Sequence, residues 1–359
     1  MALVDNYVHN GVKKVSIIIT VYNGAEYLKD CLNSVIAQTF DSFRLILVDD
    51  GSTDDSGIIA DEYSKLYSSI ITVIHQANGG ISNARNTGIS YVDTEFIAFV
   101  DADDKLLPDY IEKLYNAAVQ NNADCIVCGY TRIDEHENIL GVRRATDWQM
   151  TLDDGKNYVF SYIVGARIYR TDLITDSGMR FSNREGFEDI PFNIYMNIIA
   201  KKIVAIDYSG YLYRANSNSI TEVVKKKGLS AASSVMKFPY KGLENTIIMI
   251  RHDYNCEYDN ILYYEIVKNF TGLLLFVSKS SDVNDIRRIS NYEENMLSKY
   301  FRDVNSKQIS YFRLGRLKKL PLSYRLAVNL YMIAYKTRTV YQFALMYKCF
   351  SGIEKLQGV

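Results

Sequence analysis

Residues 15–26 read VSIIITVYNGAE, and this stretch decides the fold. Its first seven residues form a nearly unbroken β-branched run, as in a strand covered on both faces. A polar turn follows at once. Residues 26–38, EYLKDCLNSVIAQ, then set Leu28, Cys31, Leu32, Val35 and Ile36 on one helical face. The pattern repeats along the chain. Residues 43–48 (FRLILV), 70–75 and 95–100 (EFIAFV) read as further strands, and residues 53–66 and 81–91 as helices between them. Pro108 opens another helix, with Ile111, Leu114, Tyr115 and Ala118 as its buried stripe. Residues 125–130 (CIVCGY) close the series as a strand. Such alternation predicts an α/β fold: a Rossmann-like, mostly parallel central sheet with helices on both faces.

In sheets of this kind ligands bind beyond the carboxyl ends of the strands. Four polar clusters sit at such ends: TVYNGAE (20–26), DDGSTDD (49–55), QANGGISNARN (76–86) and DADD (101–104). In the second cluster Ser52 or Thr53 is placed to cap the next helix, while an aspartate is placed to accept the imide N–H of a nucleotide base. The third joins glycines, which allow close backbone approach, to a helix start, which favours phosphate; Ser82 reads there as a cap. Arg85 is placed to pair with a diphosphate or with an aspartate of another loop. In the fourth, alternate acids suit a hard divalent cation that shares phosphate oxygens, and Asp104 reads as a cap for the following helix.

The whole-chain composition narrows the classes. The chain has 359 residues, 48% of them apolar, enough for a substantial core. A net charge of −1 argues against nucleic acid as partner. The turn after the first strand lacks GxGxxG, which excludes the nicotinamide dehydrogenase pattern. Cys31, Cys125, Cys128, Cys256 and Cys349 are scattered, as expected of reduced thiols in the cytoplasm. Cys125 and Cys128 share a strand reading that sends them to opposite faces, against a zinc or redox pair. Residues 1–14 contain no long apolar segment, so no signal peptide is predicted.

From about residue 225 the strand signal fades and long helical segments take over, which places a boundary near 222 between residues 1–222 and 223–359. No Asp or Glu occurs from Val304 to Ile353, while nine Lys and Arg do: Lys307, Arg313, Arg316, Lys318, Lys319, Arg325, Lys336, Arg338 and Lys348. Aromatic residues alternate with them, among them Tyr324, Tyr331, Tyr335, Tyr341 and Phe343. That composition fits helices lying on an anionic lipid surface, and equally a helical pair with a solvated basic face. The apolar run LAVNLYMIAY (326–335) is too short to span a bilayer, since at ~1.5 Å per residue it covers about half of one.

Read together and in order, residues 15–40, LILVDDGSTDDS (45–56), NGGISNARNTGI (78–89) and FIAFVDADDKLLPDY (96–110) resemble the family 2 glycosyltransferases, including those of bacterial capsule and exopolysaccharide synthesis. The resemblance covers residues 14–221. It implies a GT-A fold, a nucleotide-sugar donor (UDP-linked), inversion, Mg²⁺ or Mn²⁺, and a glycan or lipid-linked glycan as acceptor. On the matching positions it implies a base pocket from Thr20 and Tyr22, with Asn23, Gly80 and Ala102 among the other nucleotide-sugar contacts. Asp50 falls on the uracil imide with Arg85 nearby, Asp101 near the ribose and diphosphate, and Asp103 on the metal. The family's general base falls on Asp189 within GFEDIPFN (186–193), with Glu188 as the alternative or an orienting neighbour. Asp189 also reads as the cap of the next helix. Arg214, in YLYR before NSIT (218–221), falls where a residue reaches the diphosphate or sits on a strand surface. Residues 132–186 are expected to read the acceptor. A non-catalytic nucleotide-sugar-binding scaffold is the alternative, and the presence of Asp103 and Asp189 speaks against it.

Overall fold

The computed structural model describes residues 13–151, 157–159, 161–182, 186–216, 240–279, 281–302, 304 and 322–356. The chain divides into two compact units, Met1–Asn216 and Ser217–Val359. The boundary expected near 222 lies outside the described residues.

The first unit runs β1 (Val15–Val21), α1 (Ala25–Ile36), β2 (Phe43–Asp49), α2 (Ser56–Leu66), β3 (Ile71–His75), α3 (Ile81–Ser90), β4 (Phe96–Asp101), β5 (Lys105–Leu106), α4 (Tyr110–Asn121), β6 (Cys125–Val127), β7 (Tyr130–Ile133), β8 (Ile139–Arg143), β9 (Gln149–Thr151), β10 (Asn157–Val159), β11 (Arg167–Arg170), α5 (Thr171–Thr175), α6 (Asp189–Ile199), β12 (Ile203–Ala205) and β13 (Tyr211–Arg214). The main sheet has seven strands in the order β12-β6-β11-β4-β1-β2-β3. Strand β1 lies at its heart, parallel to β2 and β4, and all its residues are buried. Ile17 and Ile19 belong to the core formed with α1, α2 and α4. Ile18 faces the other way, onto α3, where a Cβ on Gly88 would stand 2.5 Å from its Cγ2. Helices therefore cover both faces.

The main sheet is mostly parallel, as the sequence predicts, with β11 antiparallel to both its neighbours, β4 and β6. The structure departs from the sequence expectation in two places. The strand expected over 125–130 ends at Val127. Gly129 then donates its N–H to Tyr208 O, and a Cβ there would stand 2.1 Å from Arg143 O. Only glycine fits this crossing, after which the chain enters a second sheet, β5-β13-β7-β8. Cys128 thus lies beyond the strand. It and Cys125 are free and buried, and burial pushes their thiols up to about 12 and about 11. Helix α2 begins at Ser56, not Thr53. Gly51 turns the chain with φ +73°, and Asp54, not Ser52 or Thr53, accepts the Ser56 N–H at 3.0 Å.

The second unit contains α7 (Tyr240–Tyr254), α8 (Asp259–Ser278), α9 (Val283–Tyr300), α10 (Leu322–Lys336) and α11 (Val340–Leu356). Helix α8 is buried along most of its length and packs on α9, α10 and α11. It is long and apolar enough to cross a membrane, with 78% of that window buried inside the protein, as a core helix is. Glu293 of α9 is buried and accepts from Tyr240 OH at 3.0 Å and Tyr331 OH at 2.9 Å. Burial holds this carboxyl well above its usual range, so the three side chains tie α7, α9 and α10 together as a neutral cluster.

The contact between α3 and β1 has a testable cost. Gly88→Val forces two methyl groups against Ile18, and overpacking of this kind destabilises by about 1–3 kcal/mol. Thermal melting is expected to show a lower Tm, partly recovered when Ile18→Val is added. An unchanged Tm would mean that α3 does not press on β1 at that point.

Candidate active site

The register of the sheet brings the polar clusters level. Thr20 on β1 lies opposite Val48 on β2 and Asp101 on β4, and Asp49 lies opposite Val21 and His75. Beyond these ends, Asn23 takes a left-handed φ of +50°. Its Oδ1 accepts from Thr53 N at 2.8 Å, and its own N–H reaches Ser52 Oγ at 3.0 Å. Gly24 N and Ala25 N bond to Ser56 Oγ and Asp54 Oδ2, each at 3.0 Å. The first two loops are thereby one body, with Tyr22 exposed on it at 53% and Thr20 buried beneath. Ala102 lies close by, where a Cβ on Gly24 would stand 3.8 Å from its own.

Asp50 is only 2% exposed and clamps the third loop. It accepts from Gln76 Nε2 at 2.6 Å, Gly79 N at 2.9 Å and Gly80 N at 2.8 Å. An ionised carboxylate has about four lone-pair sites, so three bonds leave one for a ligand donor. Gly80 has φ +85° and open space where a Cβ would be. Helix α3 starts there without a side-chain cap, and the Ser82 hydroxyl, expected to be that cap, is buried without a hydrogen bond. Asp49 faces His75, whose Nδ1 lies 2.9 Å from Asp49 Oδ2 and whose Nε2 lies 3.2 Å from Asp61. Burial would raise Asp49, but hydrogen bonds from Ser52 and His75 outweigh it and hold it low. The bonds to Asp49 and then Asp61 push His75 up. The sequence reading passed over His75, although it ends a strand beside two acids.

Arg85 projects from α3 into the centre. It is buried, and its two terminal nitrogens reach Asp101 Oδ1 at 2.7 Å and Glu188 Oε1 at 2.5 Å. Of the two pairings expected for it, the one with an aspartate of another loop is observed. Phe181, stacked on Phe192 of α6 at 4.0 Å, lies under the guanidinium at 5.3 Å. Phe187 takes φ +58°, and the chain then enters α6 at Asp189. Asp189 is the first residue of the helix rather than its cap, and Glu188, at the cap position, makes no capping bond. Asp189 is partly buried. Burial first and the Glu188 charge second push it up to about 7, with Arg85 pulling the other way.

The acids after β4 divide in role. Asp103 is partly buried and pushed up to about 6, by burial and then by the charge of Asp101. Asp104, expected as a helix cap, is instead buried against β13. It accepts from Tyr211 OH at 2.6 Å and Arg214 N at 2.8 Å. Burial, then Asp103 and Asp101, push its carboxyl well up. Arg214 is no surface residue: it is 3% exposed. Its Nε reaches Asp103 O at 3.0 Å, Nη1 lies 3.4 Å from Glu135 O, and Tyr27 stacks at 5.0 Å. It grips the acid loop from behind in this structure. Among the described residues no group of three or more His, Cys, Asp or Glu is arranged as a metal site. A surface cavity of about 280 Å³ lies at the other ends of the strands, by Lys13, Arg44 and Thr72, and Arg44 is already paired with Asp93 there at 2.7 Å.

Residues 16–190 match the family model described as Glycosyl transferase family 2. The glycosyltransferase GlyG of Streptococcus pneumoniae serotype 4 is 31% identical over 226 residues, covering 57% of this chain and 72% of GlyG. The chain belongs to glycosyl transferase family 2. A second member, the uncharacterized glycosyltransferase EpsJ of Bacillus subtilis, is 35% identical over 224 residues, 60% of this chain and 65% of EpsJ. The match thus spans slightly less than two thirds of EpsJ. In three dimensions the family 2 chain is similar to residues 1–349 of S. aureus TarS, solved with UDP-GlcNAc. The TM-score is 0.67 at 20% identity, over 96% of this chain and 92% of that one. The likeness shows that the two chains share a fold.

Asp189 leaves a signature in stability. Its carboxyl is raised from 3.8 to about 7 on folding. Below about pH 4 both states hold the proton; between about 4 and 7 only the folded state does, so this group's share of stability falls as pH rises and is fully lost above 7. In metal-free buffer the Tm of Asp189→Asn is therefore expected to gain on that of the wild type between pH 4.5 and 8. A constant gap would show that Asp189 titrates normally.

Proposed function

We propose that this chain is an inverting glycosyltransferase that moves a sugar from a UDP-sugar to a hydroxyl of a glycan or lipid-linked glycan, in bacterial surface polysaccharide synthesis. The observation that carries the reading is the division of labour around Arg85. Its guanidinium pairs with Asp101 and Glu188, while Asp189, next in sequence to Glu188, has no hydrogen-bonding side chain among the described residues. Inversion needs one carboxylate to take the proton of the acceptor hydroxyl as that oxygen attacks the anomeric carbon from the face opposite the departing diphosphate. Asp189, raised to about 7, is matched to that task near neutral pH. Glu188 orients Arg85.

Thr20, Tyr22, Asn23, Asp50 and Gly80 are the assigned nucleotide contacts. The joined loops set Tyr22 open for a base to stack, and Asp50 retains an acceptor site for its imide N–H. TarS, which shares the fold, was solved with UDP-GlcNAc, which makes uridine the first nucleotide to test. The donor set also fits a divalent cation. Burial, and after it the charge of Asp101, holds Asp103 up near 6, and Mg²⁺ or Mn²⁺ completed by diphosphate oxygens would stabilise its ionised form. Bound there, such an ion supplies charge to stabilise the leaving diphosphate. Asp103 is assigned as its ligand, with Ala102 letting the loop approach the donor. Arg214 holds the loop in position.

The acceptor side of the proposal is a peripheral site on the cytoplasmic face of the membrane. On α10, Leu326, Leu330 and Ile333 recur at helical spacing and are each about half exposed. They lie within the acid-free stretch 304–353 with its nine basic residues. An exposed apolar stripe in a cationic context favours the interface of an anionic bilayer. Lys307, Arg313, Arg316, Lys318 and Lys319 lie outside the described residues.

Calorimetric titration with UDP is expected to show binding that weakens under chelation and in Asp103→Ala. Asp189→Asn should bind donor as the wild type does yet lose about 10²–10⁴-fold in kcat, and the wild-type rate should rise with pH through about 7. No nucleotide binding by folded protein, or full turnover by Asp189→Asn, would overturn the assignment. For the membrane, Leu330→Glu with Ile333→Glu is expected to abolish co-sedimentation with phosphatidylglycerol vesicles, and phosphatidylcholine vesicles should bind neither protein. Equal sedimentation of variant and wild type would remove α10 as the anchor.

A further inference from the structure

Strand β8 is the outer strand of the four-stranded sheet, and all five of its residues are exposed. Ile139, Leu140 and Val142 stand 70%, 53% and 52% open. Among the described residues its one partner is β7, antiparallel, with Leu140 as the extra residue of a bulge. The far side of such a strand carries unpaired N–H and C=O groups beside apolar side chains, an arrangement proteins ordinarily cover or blunt with charge.

Gly141 adds an independent sign. Its φ is not positive, and nothing lies within 4 Å of where a Cβ would stand. Neither backbone conformation nor packing among the described residues calls for glycine there. Glycine inside a strand often marks the close approach of another backbone.

Charge selects the occupant. The turn before β8 carries Asp134, Glu135 and Glu137, and its other end carries Arg143 and Arg144. Glu137 is held by Lys105 at 2.6 Å, and Arg144 by Asp207 at 3.5 Å. Glu135 and Arg143 are exposed and form no ion pair among the described residues. One end of the strand is therefore acidic and the other basic. A second copy of the same strand, laid antiparallel, sets each acidic end against a basic one; laid parallel, it opposes like with like.

We propose that β8 pairs antiparallel with β8 of a second copy of this chain, forming a twofold dimer through a continuous eight-stranded sheet. The interface is isologous: the turn that bears Glu135 in each copy lies beside the end of the other strand that bears Arg143, and Ile139, Leu140 and Val142 of the two strands cover each other across the pair. A five-residue pairing buries less surface than a permanent interface, so association in the micromolar range is expected. The pairing also bears on the acid loop. The turn that it would steady supplies the Glu135 carbonyl, 3.4 Å from Arg214 Nη1, and Arg214 holds the backbone at Asp103.

Sedimentation velocity of the full chain from about 1 to about 100 µM tests this, since micromolar association spans that range. The wild type is expected to pass from monomer to dimer. Glu135→Arg alone and Arg143→Glu alone each place like charges together twice, and each should weaken self-association at least about tenfold. An equimolar mixture of the two variants should regain it, because both cross-contacts become attractive; that recovery also shows that both variants are folded. A wild type that stays monomeric throughout, a dimer indifferent to either reversal, or a mixture that stays monomeric would overturn the proposal. A monomer whose β8 is instead covered by another protein is among the outcomes that do so.

Discussion

The guanidinium of Arg85, buried between the carboxylates of Asp101 and Glu188, is the contact on which the rest of the site depends. A guanidinium removed from water would be costly alone, and it is tolerable here because two carboxylates pair with it. The arrangement joins three separate elements: α3, the carboxyl end of β4 and the start of α6. It also separates two neighbours in sequence: Glu188 is pinned by Arg85, whereas Asp189 is pushed up to about 7, by burial first and by the neighbouring Glu188 second.

Around this centre, many of the polar residues that look like ligand contacts hold other loops. Asn23 and Asp54 fasten the first loop to the second, Asp50 fastens the third, and Asp104 with Tyr211 and Arg214 fastens the fourth from behind. Loops that project from a sheet have little apolar surface to fix them. Hydrogen bonds from backbone N–H groups to buried carboxylates supply the rigidity that a binding site requires. The two functions coexist, since a carboxylate that accepts three bonds from its own chain still has a lone pair to offer.

Polar groups in the two interiors are satisfied in more than one way. The sheet unit pairs Arg85 with two acids and gives buried Arg167 neutral acceptors, Asn197 and Ser161 O. The helical unit buries an ion pair, Lys268 with Glu265 at 3.2 Å, and also holds Glu293 between two tyrosine hydroxyls, which ties three helices by hydrogen bonds. Its remaining apolar surface includes the exposed face of α10.

The sequence by itself determined whatever local periodicity can carry. The β-branched run at 15–21, its alternation with amphipathic helices, the four polar clusters at strand ends and the GFEDIPFN segment were all legible, because each is a property of contiguous residues. Tertiary structure alone decided the rest. RIYR at 167–170 is too short for its periodicity to declare an antiparallel strand between β4 and β6, and Gly129 shows its purpose only once Arg143 is beside it. That Asp104 serves Tyr211 and Arg214 rather than a helix end, and that Arg85 joins Asp101 to Glu188, follow from pairings 107, 110 and 103 positions apart in the chain. A buried charge takes whichever partner the folded chain brings within reach, and no window of neighbouring residues contains that information.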